Sequence, residues 1–150
     1  MKKNLKYIIN VFIIGLMFFF INKYFFQLCF VQGESMHPTL KDGNIIVIKK
    51  FDLKFDYNDI VVIKKNDKTI VKRIVGLPGD LIKIDNYLYI NNEKRHDMYI
   101  ENVGDMGNEI LLNSDEYFVL GDNIPNSIDS RFNEIGIIER KEIIGKMINI

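Results

Sequence analysis

Hydrophobic patterning changes character once along the chain. From Tyr7 to Asn22 the sequence YIINVFIIGLMFFFIN carries no charge, and only Asn10, Gly15 and Asn22 could contribute a polar face. A helix of those 16 residues reaches about 24 Å, slightly less than a hydrocarbon core of about 30 Å. Lys23 extends that reach by snorkelling toward the headgroups. The following NKYFFQLCFV is bulky throughout and offers no small-residue cleavage site, so a retained anchor is expected rather than a removed leader. Lys2, Lys3 and Lys6 precede the span, and the positive-inside rule puts them in the cytoplasm. The expected organisation is a cytoplasmic N-terminus over 1–6, a single transmembrane helix over 7–23, and an extracytoplasmic domain over 24–150.

Past residue 30 the pattern becomes short β-branched and aromatic runs. Strands are expected over 44–50, 59–65, 69–75, 80–86, 87–91 and 116–120, with RKEIIGKMINI at 140–150 as the last. Turn chemistry separates them: KDG at 41–43, KND at 65–67, LPGD at 77–80 and GDN at 121–123. Runs this short and evenly spaced predict an antiparallel sheet or barrel-like β-domain, not βαβ units. DNYLYINNEKR at 85–95 reads as a hairpin, and the polar 101–115, with Gly104 and Gly107, as a loop.

Composition narrows the chemistry. At 150 residues and 17.6 kDa there is room for one domain. Twenty basic and 20 acidic residues cancel, so a nucleic-acid partner is not expected. Cys29 is the only cysteine, which excludes an internal disulfide and a multi-cysteine metal site, and its apolar surroundings mark it as a packing residue. His37 and His96 are too few for a typical zinc enzyme, so neither metal nor organic cofactor is expected.

Two residues stand out. Ser35, in GESMHPTL, would alone be an ordinary turn serine. Lys72, in TIVKRIVGLPGD, lies on an apolar strand beside Arg73, and alternation requires one of the two to face inward. A lysine desolvated there loses basicity. Neutrality near pH 7–8 needs a shift of roughly 3 units, about 4 kcal/mol. A neutral lysine can take the proton of a serine hydroxyl, the Ser-Lys form of nucleophilic catalysis. His37 is too local to serve as the base of Ser35, and Pro38 rules out a Ser-x-x-Lys arrangement.

The order of an apolar span, SMHPTL, VKRIVGLPGD and GDNIPNSIDSR resembles bacterial type I signal peptidases over nearly the whole chain. The resemblance implies a membrane-bound serine endopeptidase that cleaves signal peptides from exported preproteins, beside membrane lipid and the secretion translocon. It assigns Ser35 as nucleophile, Lys72 as general base, and Ser127 as the serine that hydrogen-bonds and orients the lysine. Asp129 and Arg131 become a supporting salt bridge with Arg73 nearby, and Gly121, Asp122 and Asn123 shape the turn leading in. One oxyanion donor is expected to be the Ser35 N–H. Larger members carry a serine hydroxyl two residues before the nucleophile. Here that position is Gly33, so a backbone or water donor is expected. Asn58 stands where the family usually has glycine. With only about 40 residues between Asp80 and Gly121, the accessory β-domain of larger members should shrink to a hairpin cap.

By adjacency, Val31, Gln32, Gly33, Met36, Leu40, Ile70 and Val71 would form shallow apolar pockets for small substrate residues. The competing class is a membrane-anchored β-domain that binds extended peptides without cutting them. Burying a lysine that has no use costs several kcal/mol, which weighs against it. Self-cleaving repressors share the Ser-Lys β-fold but carry a DNA-binding domain where this chain has residues 1–33.

Overall fold

The computed structural model describes residues 2–51, 53–107 and 109–148. Among the described residues it has one α-helix, α1 (Lys2–Tyr24), followed by β-structure with 3-10 turns at Ile124–Asn126 and Arg140–Glu142. The strands are β1 (Phe26–Phe30), β2 (Ile45–Lys49), β3 (Ile60–Lys65), β4 (Lys68–Gly76), β5 (Leu81–Ile84), β6 (Tyr87–Ile90), β7 (Glu93–Tyr99), β8 (Glu109–Leu111), β9 (Glu116–Leu120), β10 (Ile138–Glu139) and β11 (Ile143–Met147). Every described pairing is antiparallel. The main sheet runs β1-β2-β11-β3-β4-β9-β10, and a second runs β7-β6-β5-β8.

Sequence periodicity follows position in the sheet. β3 lies between β4 and β11 and is buried on both faces, so Ile60-Val61-Val62-Ile63 is an unbroken apolar run. β5 and β6 cover the core with one face only and alternate, burying Ile82, Ile84, Leu88 and Ile90. Those four pack on Val75, Phe118 and Leu120 and so weld the second sheet to β4 and β9. Each such side chain contributes about 1.5–3 kcal/mol by leaving water. The β3–β4 hairpin turns at Asn66-Asp67, with φ of 49° and 61°, and β6–β7 at Asn91-Asn92, with φ of 52° and 68°. Paired positive φ values match the right-handed twist of the flanking strands, which is why Asn and Asp occupy them.

The structure departs from the sequence expectations in three places. The cap is a four-stranded sheet instead of a hairpin. Its outer strand β7 is the charged EKRHDMY, and β8 is a three-residue strand within the stretch read as a loop. β1 is a strand of the main sheet, pairing Phe26↔Lys49 through Phe30↔Ile45 with β2. Finally, among the described residues no helix is long and apolar enough to cross a membrane. Lys6 and Lys23 bound the uncharged run and leave it short of the hydrocarbon thickness. The side chains of Lys2 and Lys3, and the end of the last expected strand at 149–150, lie outside the described residues.

Candidate active site

Three chain segments converge on Ser35. The first is its own loop between β1 and β2, pinned because Val31, Met36 and Leu40 sink into a core with Ile46, Ile48, Ile60 and Val62. Met36, beside the serine, is only 1% exposed and fixes the loop's height over the sheet.

The second segment is β4. Of the two adjacent cations, Lys72 is the one that faces inward, 3% exposed, and its Nζ donates to Ser35 Oγ at 2.7 Å. Burial holds the Lys72 amine below its ordinary basicity. The Asp129 carboxylate opposes that, Arg131 reinforces it, and Asp122 adds a smaller opposing effect. Arg73 points to the other face. There its Nε and Nη2 donate to the two Asp122 oxygens at 2.7 and 2.6 Å, and its Nη1 donates to Asn58 O at 2.8 Å. This bidentate pair keeps the guanidinium charged. Asn58 has φ of 69°, a left-handed conformation that asparagine tolerates, which accounts for asparagine in a glycine position.

The third segment follows β9. Asp129 and Arg131, 0% and 1% exposed, form the expected salt bridge, with Arg131 Nε and Nη2 on the two carboxylate oxygens at 2.8 and 3.0 Å. Arg131 also donates to the carbonyls of Asn102, Ile124 and Ser127. Asp129 accepts the Gly121 N–H at 3.1 Å, so the pair ties both ends of this loop together. Such saturation is what makes a buried ion pair tolerable. A side chain on Gly121 would run into Ser127 Oγ and Ser35 O, so only glycine permits this approach of the two loops.

Ser127 is buried where the sequence places it, but its hydroxyl has no hydrogen-bond partner among the described residues. The expected bond to Lys72 is thus not formed; the amine donates to Ser35 Oγ instead. Gly33, with φ of 85°, gives its N–H to Asp42 Oδ1 at 2.7 Å, while the Ser35 N–H has no acceptor among the described residues.

A cleft of about 420 Å³ leads to the pair. Of the residues expected to line it, Val31, Gln32, Met36, Ile70 and Val71 do. Gly33 and Leu40 do not: the first serves the turn with Asp42 and the second belongs to the core. Gln27–Phe30 of β1 form a further wall that the sequence does not announce, because this uniformly bulky run carries no strand pattern. In the structure Phe26, Leu28 and Phe30 are exposed while Gln27 and Cys29 are half-buried, the reverse of apolar-in alternation, so periodicity offered no strand signal. Cys29 lies on this wall, where burial pushes its thiol up and Lys50 opposes the shift, so the thiolate is disfavoured.

Strand pairing explains the cleft. β4 pairs with β9 only through Arg73–Gly76, leaving the edge of its first half without a strand partner among the described residues. β1 pairs on one side only. The cleft therefore runs between two open strand edges and ends at Ser35 and Lys72.

The family described as signal peptidase, peptidase S26 matches residues 4–150. Signal peptidase I U of Bacillus subtilis (strain 168) is 37% identical over 164 residues, spanning 96% of this chain and 86% of that protein. Signal peptidase I P of Bacillus subtilis subsp. natto is 38% identical, spanning 85% and 77%. The crystal structure of a signal peptidase I from Enterococcus faecalis V583 superposes with a TM-score of 0.51 at 28% identity, covering 64% of this chain and 98% of that one. A serine against a buried lysine on a β-scaffold is the hardware of a serine peptidase. The chain belongs to the signal peptidase family, peptidase S26.

Proposed function

We propose that this chain is a membrane-anchored serine endopeptidase that removes signal peptides from exported preproteins, with Ser35 as nucleophile and Lys72 as general base. The observation that carries the reading is the 2.7 Å contact between Ser35 Oγ and a buried amine of lowered basicity at the end of a strand-edged cleft. With Lys72 neutral, its lone pair accepts the Ser35 hydroxyl proton as Oγ bonds to the scissile carbonyl carbon. The resulting oxyanion takes the Ser35 N–H as donor. The lysine ammonium then protonates the leaving amine, and water releases the acyl group by the same route. Ser127, buried and unpartnered beside Gly121, supplies a hydroxyl to steady the lysine once its bond to Ser35 is spent. Asp129, Arg131 and Arg73 hold the loops in register.

An extended signal-peptide segment fits the cleft as an added strand, held by main-chain hydrogen bonds with shallow apolar contacts near the cut. α1 is the proposed single-pass anchor. Its described side chains from Tyr7 to Ile21 are exposed all round, a surface that water does not tolerate and lipid does. Exposed Phe26, Leu28 and Phe30 on β1 continue that apolar surface into the β-domain. Lys6 and Lys23 make up the missing length by snorkelling, and the basic N-terminal flank sets the orientation, with the β-domain outside the cell. Tethering enzyme and substrate to one bilayer raises their effective concentration.

The test is incubation of the detergent-solubilised protein with a preprotein, followed by N-terminal sequencing of the product. One new N-terminus, absent with Ser35→Ala, is expected. Binding of the preprotein with no cleavage by the wild-type chain would favour the non-catalytic peptide-binding alternative. In the same assay Gly121→Ala is expected to lower kcat roughly 10²-fold, because its methyl displaces the Ser35 carbonyl and a 1 Å misplacement costs about that much.

A further inference from the structure

The sequence gives Asn123 no role beyond the turn, yet it makes two bonds to the nucleophile loop and a third within its own. Its backbone N–H donates to Ser35 O at 3.0 Å, and its side-chain Nδ2 donates to Glu34 O at 3.0 Å. Its Oδ1 accepts from Asn126 Nδ2 at 3.2 Å, which fixes which end of the amide faces Glu34. The Glu34 carbonyl belongs to the same planar peptide unit as the Ser35 N–H. Whatever orients that carbonyl therefore aims the N–H, which has no acceptor among the described residues. The carbonyl has one further donor, the His37 N–H at 3.1 Å, within the same turn. Asn123 is the bond that ties the peptide plane to another part of the fold.

We propose that Asn123 is a positioning residue for the oxyanion donor: its side chain sets the plane of the Glu34–Ser35 peptide so that the Ser35 N–H points at the carbonyl under attack. This rests on the Ser35–Lys72 reading above. Donation into Glu34 O also polarises the amide and strengthens the N–H as a donor, because linked hydrogen bonds reinforce one another. Asn123→Ala removes only the side-chain bond. The main-chain tie to Ser35 O and the Lys72 contact with Ser35 both remain.

Direct loss of an oxyanion donor costs about 10²–10³ in kcat. Here the donor stays but loses its alignment, so Asn123→Ala should lower kcat about 10-fold to 100-fold with KM within about twofold. Asn123→Asp should be no better, since a carboxylate oxygen would face a carbonyl oxygen. The pH at which kcat rises should not move in the alanine variant, because Lys72 is untouched. The decisive comparison uses a peptide aldehyde ending in a small residue. Its carbonyl becomes a tetrahedral adduct when Ser35 Oγ adds to it and the hydroxyl proton passes to Lys72. Affinity for the aldehyde should fall with kcat in Asn123→Ala. Affinity for the matching peptide amide, which forms no adduct, should be unchanged. If kcat and aldehyde affinity stay at wild-type values, or if both ligands weaken equally, the positioning role is wrong. If instead Ser35→Ala still cleaves, the dyad reading itself fails, which separates the two outcomes.

Discussion

Lys72→Arg is expected to abolish turnover, with kcat down at least about 10³-fold, although it preserves charge and most of the side chain's length. Arginine stays protonated at any working pH, so it cannot accept the Ser35 proton. In the mechanism proposed above the active form has Lys72 neutral. Rate should therefore rise with pH through the lowered pKa and level off above it, an acid limb measurable as log kcat against pH. The same burial makes a thermodynamic prediction of its own. Lys72 holds its proton less tightly in the folded chain than in the unfolded one, so its burial penalty is greatest below the folded-state pKa. The penalty shrinks as pH rises toward the ordinary value near 10.5. Lys72→Met should thus be inactive but more stable than wild type, with the gain fading as the solution is made alkaline. Thermal unfolding across pH checks this. A methionine variant equal in stability to wild type at every pH would mean that the lysine carries no desolvation penalty.

Arg131→Met is expected to be the most destabilising single substitution in the loop after β9, at about 3–5 kcal/mol. It strands the fully buried Asp129 carboxylate and orphans the carbonyls of Asn102, Ile124 and Ser127. For a domain of this size that is roughly a 10–20 °C fall in Tm. Removing Asp129 and Arg131 together should cost less than removing Arg131 alone, because no uncompensated charge remains. Any folded fraction of Arg131→Met should also need higher pH for activity. Asp129 would then raise the Lys72 pKa without the opposing arginine. Denaturant titration of the single and double variants, with a pH–rate profile of the single one, measures both effects.

Legibility in the sequence followed periodicity and the strength of local motifs. β2, β3, β4, β5, β6 and β9 were readable because β-branched runs alternate or are buried whole. Lys72 and Ser35 were readable as a pair through apolar flanks and the family motifs. β7 escaped because its seven residues are mostly charged and its partner lies on one side only. β1 escaped because, just past Asn22 and Lys23, its aromatic residues resume the apolar character of α1. The contacts of Arg73 were beyond reach. Its partner Asp122 is 49 positions away, and nothing local distinguishes it from Asp129. Asn123 was similarly opaque, since its bonds to residues 34 and 35 exist only once the two loops meet.

The two open strand edges along the cleft give the fold an unfinished seam. A sheet whose ends meet has no edges left to offer, whereas this one keeps a cleft between β1 and the first half of β4. In the proposed binding mode a peptide would bridge the two edges as an added strand, and cleavage would remove the piece that bridged them. Selection by such a cleft begins with main-chain shape. In that binding mode a stretch that stays helical, or a proline where a ladder donor is needed, would be refused before any side chain is read. Variety in sequence is then admissible, provided the chain can lie flat for the length of the gap.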